Sequence, residues 1–123
     1  MKITIGQDKL ALSYEISIIG HDILITVTGG KQHIGSAAVG NCGTVTKYAV
    51  EGHRDDVLAG TLAQDVSKLF NCICLVAAGF HQDNMTKEEI EIVLLNHQQG
   101  IQKVITYLKE NYAKRTDGKI IKG

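Results

Sequence analysis

No apolar run in this 123-residue sequence approaches the ~20 residues that a membrane-spanning helix needs. The opening residues, Met1-Lys2-Ile3-Thr4-Ile5-Gly6, do not read as a signal peptide. Excess charge of one sign is missing too: 13 basic and 13 acidic side chains balance, so there is no bulk attraction to nucleic acid or anionic membrane. Cysteine is scarce, three residues with no CxxC pair, which points to a reduced, cytoplasmic protein. There is no GxSxG elbow and no P-loop, and no GxGxxG follows a strand and opens a helix. Proline, internal repeats and low-complexity segments are absent, and no stretch has the polar, charged character of disorder. One domain over residues 1–123 is expected, because a chain of this length supports a single core.

What is present is strongly patterned. Leu12, Tyr14, Ile16 and Ile18 alternate with Ala11, Ser13, Glu15 and Ser17, the period-two signature of a half-buried strand. Gly20-His21-Asp22 reads as a tight turn, after which Ile23, Ile25 and Val27 alternate with Leu24, Thr26 and Thr28. Beyond Gly29-Gly30, a third strand is expected around 34–39. Gly40-Asn41-Cys42-Gly43 is a hairpin signal, and the β-branched run Thr44 to Val50 predicts a fourth strand.

The period then changes. Leu58, Leu62, Val66, Leu69 and Phe70 recur at helical spacing after Asp55, an N-cap candidate, and Asn71 can end that helix in a left-handed conformation. Cys72-Ile73-Cys74-Leu75-Val76-Ala77-Ala78 is continuously apolar, as for a strand covered on both faces, with both cysteines acting as small core residues. Thr86 and Glu89 form a capping box flanked by Met85 and Ile90 as a hydrophobic staple. The stripe that follows is Ile90, Val93, Leu94, Ile101, Val104, Ile105 and Leu108, with Gly100 a weak point in its middle.

The order ββββαβα predicts a two-layer α+β domain. Its mixed sheet has about five strands, an antiparallel meander plus one strand after a helical crossover, with two helices on one face. Such a meander gathers Gly29-Gly30-Lys31-Gln32-His33 and Gly52-His53-Arg54-Asp55-Asp56 at one sheet edge. A fifth strand parallel to the fourth brings Gly79-Phe80-His81-Gln82-Asp83 to the same edge. His21 falls at the opposite edge.

That edge is the candidate site. Both helices begin there with unpaired N–H groups, Gly29-Gly30 admits close backbone approach, and Lys31 and Arg54 add positive charge, a combination suited to phosphate. His33, His53 and His81 with Asp83 or Asp56 offer the nitrogen and oxygen ligands that Zn²⁺, Mn²⁺ or Fe²⁺ take. Each histidine alone would pass for a surface or capping residue, whereas three at one edge invite a shared role. Asp55 and Asp83 have ordinary uses as a helix cap and a turn residue. His97, on the apolar stripe, is expected to be a hydrogen-bonded core or interface histidine.

At these residues the chain resembles a known family. The segments Gly29-Gly30-Lys31-Gln32-His33-Ile34-Gly35-Ser36-Ala37, Gly52-His53-Arg54-Asp55 and Ala78-Gly79-Phe80-His81-Gln82-Asp83-Asn84-Met85-Thr86, with Glu89-Ile90 beyond, are similar to those of the LpdD-like proteins. These are prenylated-flavin chaperones that accompany UbiD-type aromatic acid decarboxylases. The resemblance spans about Thr28 to Asn96. It implies a non-catalytic carrier that binds reduced prenylated flavin mononucleotide (FMN) and helps load the apo-decarboxylase, with a flavin prenyltransferase as a further partner. The candidate cofactor-binding residues at the edge are then Gly29, Gly30, Lys31, His33, His53, Arg54 and His81, and the candidate metal ligands His33, His53, His81 and Asp83. Phe80 departs from the smaller aliphatic residue expected at its place.

With no Trp and two Phe, the chain lacks the means for a broad aromatic sandwich around the flavin ring, so an apolar cleft must serve. Exposed outer strands and a shallow cleft predict a homo-oligomer with part of the pocket at a subunit boundary. A small metal-dependent hydrolase using the same histidines is the alternative function, and a structural subunit with incidental histidines a third.

Overall fold

The computed structural model describes residues 1–50 and 56–116. Six strands form one sheet: β1 (Lys2–Ile5), β2 (Leu12–Ile19), β3 (Asp22–Gly30), β4 (Ser36–Asn41), β5 (Thr44–Ala49) and β6 (Ile73–His81). Helix α1 (Asp56–Phe70) joins β5 to β6, and the 30-residue α2 (Lys87–Thr116) follows β6. The α+β class and both helices agree with the expectation from sequence. The extra strand is β1, where Ile3 and Ile5 alternate with Lys2 and Thr4 over a run too short to stand out.

The strand order is β1-β2-β3-β6-β4-β5, which corrects the meander. β6 runs in the direction of β5, as expected, but it lies between β3 and β4, parallel to β3 and antiparallel to β4. The physical reason is composition. β6 is the most apolar strand and takes a central place with a neighbour on each side, while strands with polar alternate residues move outward. The link from β3 to β4 then has to straddle one strand, a gap of ~10 Å, and residues 31–35 cover it.

The helices cover one face of the sheet. Leu12, Tyr14 and Ile16 of β2, Ile23, Ile25 and Val27 of β3, and Cys74, Val76 and Ala78 of β6 are buried beneath them. From the helices come Leu58, Leu62 and Val66 of α1 and Val93, Val104 and Leu108 of α2. Each fully buried aliphatic side chain contributes about 1.5–3 kcal/mol, so this single layer carries the stability of the domain.

Local signals behave as their chemistry dictates. Asn71 has φ 51° at the end of α1. The capping box closes α2 in both directions: Thr86 N–H donates to Glu89 Oε1 at 3.0 Å, and Glu89 N–H donates to Thr86 Oγ1 at 3.1 Å. Lys9 pairs with Glu89 at 2.9 Å, tying the chain before β2 to the same helix start. Two stripe positions depart from expectation, since Ile90 and Leu94 remain largely exposed near the start of α2.

Candidate functional site

β3 and β6 end side by side, with Gly29 opposite Phe80 and Gly30 opposite His81. Residues alternate across the sheet, so Phe80 falls on the helix face and His81 on the open face. A hollow lies on each side of this pair of strand ends.

On the open side, the link from β3 to β4 crosses the end of β6. Lys31 N–H donates to the His81 carbonyl at 2.9 Å and Gly35 N–H to the Ala78 carbonyl at 2.8 Å. The crossing is close enough that a Cβ on Gly79 would collide with the His33 backbone. Gly30, at φ 60°, has no room for one against the His81 carbonyl. His33 is thereby held over β6, its Nδ1 3.1 Å from the Lys31 carbonyl. The His33 and His81 rings meet edge to face with centroids 6.1 Å apart. His81 Nε2 lies 2.9 Å from Asp83 Oδ1, which fixes the orientation of that imidazole. Lys31, Gln32, His33 and His81 line a notch of about 310 Å³.

On the helix side, Val57, Leu58, Phe80, Met85, Ile90, Val93 and Leu94 enclose an apolar cavity of about 460 Å³. Its size and lining match those of small-molecule pockets. Phe80 forms part of the wall, and its ring fills the space that a Cβ on Gly29 would take. Sequence patterning assigned Leu58, Val93, Ile90 and Leu94 to the core or the staple. Ile90 and Leu94 stay largely exposed over the buried Leu58 and Val93, which leaves a cavity that has no sequence signal.

The structure thus brings together Gly29, Gly30, Lys31, His33, His81 and Asp83. His53, Arg54 and Asp55 lie outside the described residues. Asp56 pairs with Lys47 at 3.7 Å, in the first turn of α1. Among the described residues, no group of three His, Cys, Asp or Glu side chains is arranged to hold a metal ion. His21 is at the opposite edge, where its carbonyl accepts from Tyr112 Oη at 2.8 Å. At the start of α2, the capping box already takes the Thr86 and Glu89 N–H groups, and the Thr86 backbone bond, with help from Lys9, holds the Glu89 pKa below the ordinary value.

His97 is a core histidine, 3% exposed. Its Nδ1 is 2.7 Å from Tyr14 Oη and its Nε2 3.3 Å from Thr61 Oγ1. Thr61 gives its own proton to the Val57 carbonyl, so the His97 Nε2–H donates to Thr61 and Nδ1 accepts from Tyr14. Burial lowers the His97 pKa to about 4, against a smaller opposing effect of its Leu58 backbone bond. Burial also raises the Cys72 thiol to about 11 and the Cys74 thiol to about 12, which keeps both protonated and inert, as core residues should be.

Two hollows thus flank the end of a two-layer α+β sheet, an apolar cavity on the helix face and a notch lined by Lys31, Gln32, His33 and His81 on the open face. The chain belongs to the prenylated flavin chaperone LpdD-like family, whose pattern it matches over residues 6–109. It is 29% identical over 82 residues to Protein LpdD of Lactiplantibacillus plantarum, a match covering 61% of this chain and 60% of that protein. Its fold is similar to a chain in the crystal structure of a novel chaperone complex for yeast 20S proteasome assembly. The TM-score is 0.60 at 16% identity, with 89% of this chain and 94% of the other covered. No helix among the described residues is long and apolar enough to cross a membrane.

Proposed function

We propose that this protein is a non-catalytic cytoplasmic carrier. It binds reduced prenylated FMN, takes it from a flavin prenyltransferase, and assists maturation of a UbiD-type aromatic acid decarboxylase. The observation that carries the reading is the family match across residues 6–109, which includes both hollows at the β3 and β6 ends. The cavity bounded by Phe80 and Leu58 offers an apolar surface to the flavin ring. Lys31 and His81, in the notch that His33 also lines, offer donors to the polar ribityl phosphate. Among the described residues, neither hollow holds an evident nucleophile, and burial keeps Cys72 and Cys74 as thiols, which favours binding over chemistry.

Anaerobic titration with reduced prenylated FMN, followed by fluorescence, tests this directly. Saturable binding that weakens in His33→Ala and His81→Ala supports a carrier, as does faster activation of an apo-decarboxylase. The alternative, a small metal-dependent hydrolase, draws on the His81–Asp83 pair, since a carboxylate that orients an imidazole is a common partner of metal ligands. It predicts bound Zn, Mn or Fe by elemental analysis, and turnover with no decarboxylase in the assay.

A further inference from the structure

β6 carries apolar side chains on both faces, and the described residues cover only one of them. Ile73 and Leu75 stand on the open face, 44% and 41% exposed. The register sets Leu24 of β3 on one side of Leu75 and Val39 of β4, 42% exposed, on the other. Tyr48 of β5 extends the patch and is 69% exposed. β2 follows the opposite rule, presenting Ser13, Glu15 and Ser17 at its open-face positions. A sheet face meant for water is polar at such alternate positions, so an aliphatic centre with a hydroxyl-rich border marks a surface that associates.

We propose that the occupant is a second copy of this chain, the two open faces stacking as the sheets of a sandwich. Area is the first argument. The four strands β3, β6, β4 and β5, at ~4.8 Å spacing and roughly 25 Å of strand length, outline about 480 Å² in plan before side-chain relief, more than half of the ~800 Å² per partner of a stable interface. Charge is the second. Among the described residues, the open-face positions of β4, β5 and β6 hold no carboxylate, ammonium or guanidinium. A neutral, apolar face gives a foreign partner no charge pattern to read and is complementary to itself, as a two-fold interface requires. Continuity with the site is the third. The row Leu75, Ala77, Gly79 leads to His33, which lies over Gly79, so the second copy walls the shallow histidine notch.

Light scattering on the full chain without cargo tests the proposal, and its outcome does not depend on the carrier reading. Wild type should show about twice 13.4 kDa at micromolar concentration. Leu75→Lys should give a folded single chain by circular dichroism, its dissociation constant raised on the order of 100-fold. Val39→Lys repeats the test at a second position of the patch. Hydroxyl-radical footprinting of wild type should show Leu75 and Tyr48 protected at high concentration and exposed on dilution. A wild-type mass of one chain at tens of micromolar overturns the proposal, as does a folded lysine variant that keeps the doubled mass, or footprints that do not change on dilution.

Discussion

The ring of Tyr14 occupies the space that a side chain at position 100 would need: a Cβ built on Gly100 collides with Tyr14 Cζ and Oη. Gly100 is therefore the seat of the buried Tyr14 as well as a break in the helical pattern. Gly100→Ala sets two effects against each other. Alanine improves helix propensity by about 1 kcal/mol, while overpacking a closed core costs about 1–3 kcal/mol. The collision is with a ring held by the His97 bond, so the cost wins. Thermal unfolding should show a net loss, partly recovered in the Tyr14→Leu background.

Stability should fall with acid because of His97. Its pKa is about 4 folded, against an ordinary value of 6.5, so the unfolded chain binds a proton that the folded chain refuses. The sign follows: the contribution is fully present above pH 6.5 and drains away between pH 6.5 and 4, to a total of about 3 kcal/mol. Denaturant unfolding across that window should show this slope, and His97→Phe should flatten it while carrying its own constant cost.

Gly79→Ala should separate fold from site. The added methyl meets the His33 backbone on the open face, while the core-facing side of β6 is unchanged. The link from 31 to 35 must lift, and His33 moves from His81. Carrier titration should weaken at least tenfold, with near-UV circular dichroism of the core unaltered.

The core was legible in the sequence because burial imposes period: Leu12, Tyr14 and Ile16 alternate, and the Thr86–Glu89 box announces its helix. The insertion of β6 between β3 and β4 was not, since local pattern fixes the character of a strand and leaves its neighbours open. Cys72 to Ala78 read as covered on both faces, whereas the described residues cover only one, leaving Ile73 and Leu75 exposed. For the site, tracking strand ends placed His33 and His81 at one edge, and they do meet there, although β6 reaches that edge between β3 and β4 and not beyond a meander. The apolar cavity stayed hidden because Leu94 and Ile90 read as ordinary stripe positions, and nothing local in the sequence says that they stay exposed.

Asp83 tests whether the orientation of His81 matters for binding. Its carboxylate lies 2.9 Å from Nε2 and is itself largely exposed, so replacing it leaves the fold untouched. Asp83→Asn keeps the shape and a hydrogen-bonding oxygen but removes the charge that holds the imidazole in place. If His81 serves the cargo as an oriented hydrogen-bond partner, the variant should bind reduced prenylated FMN several-fold more weakly and leave Zn²⁺ binding unchanged. If His81 serves as a metal ligand, Asp83→Asn instead lowers affinity for Zn²⁺, because the carboxylate that orients a ligating imidazole is lost. Parallel titrations of both proteins, one with the flavin and one with Zn²⁺, distinguish these outcomes by which ligand the variant binds more weakly.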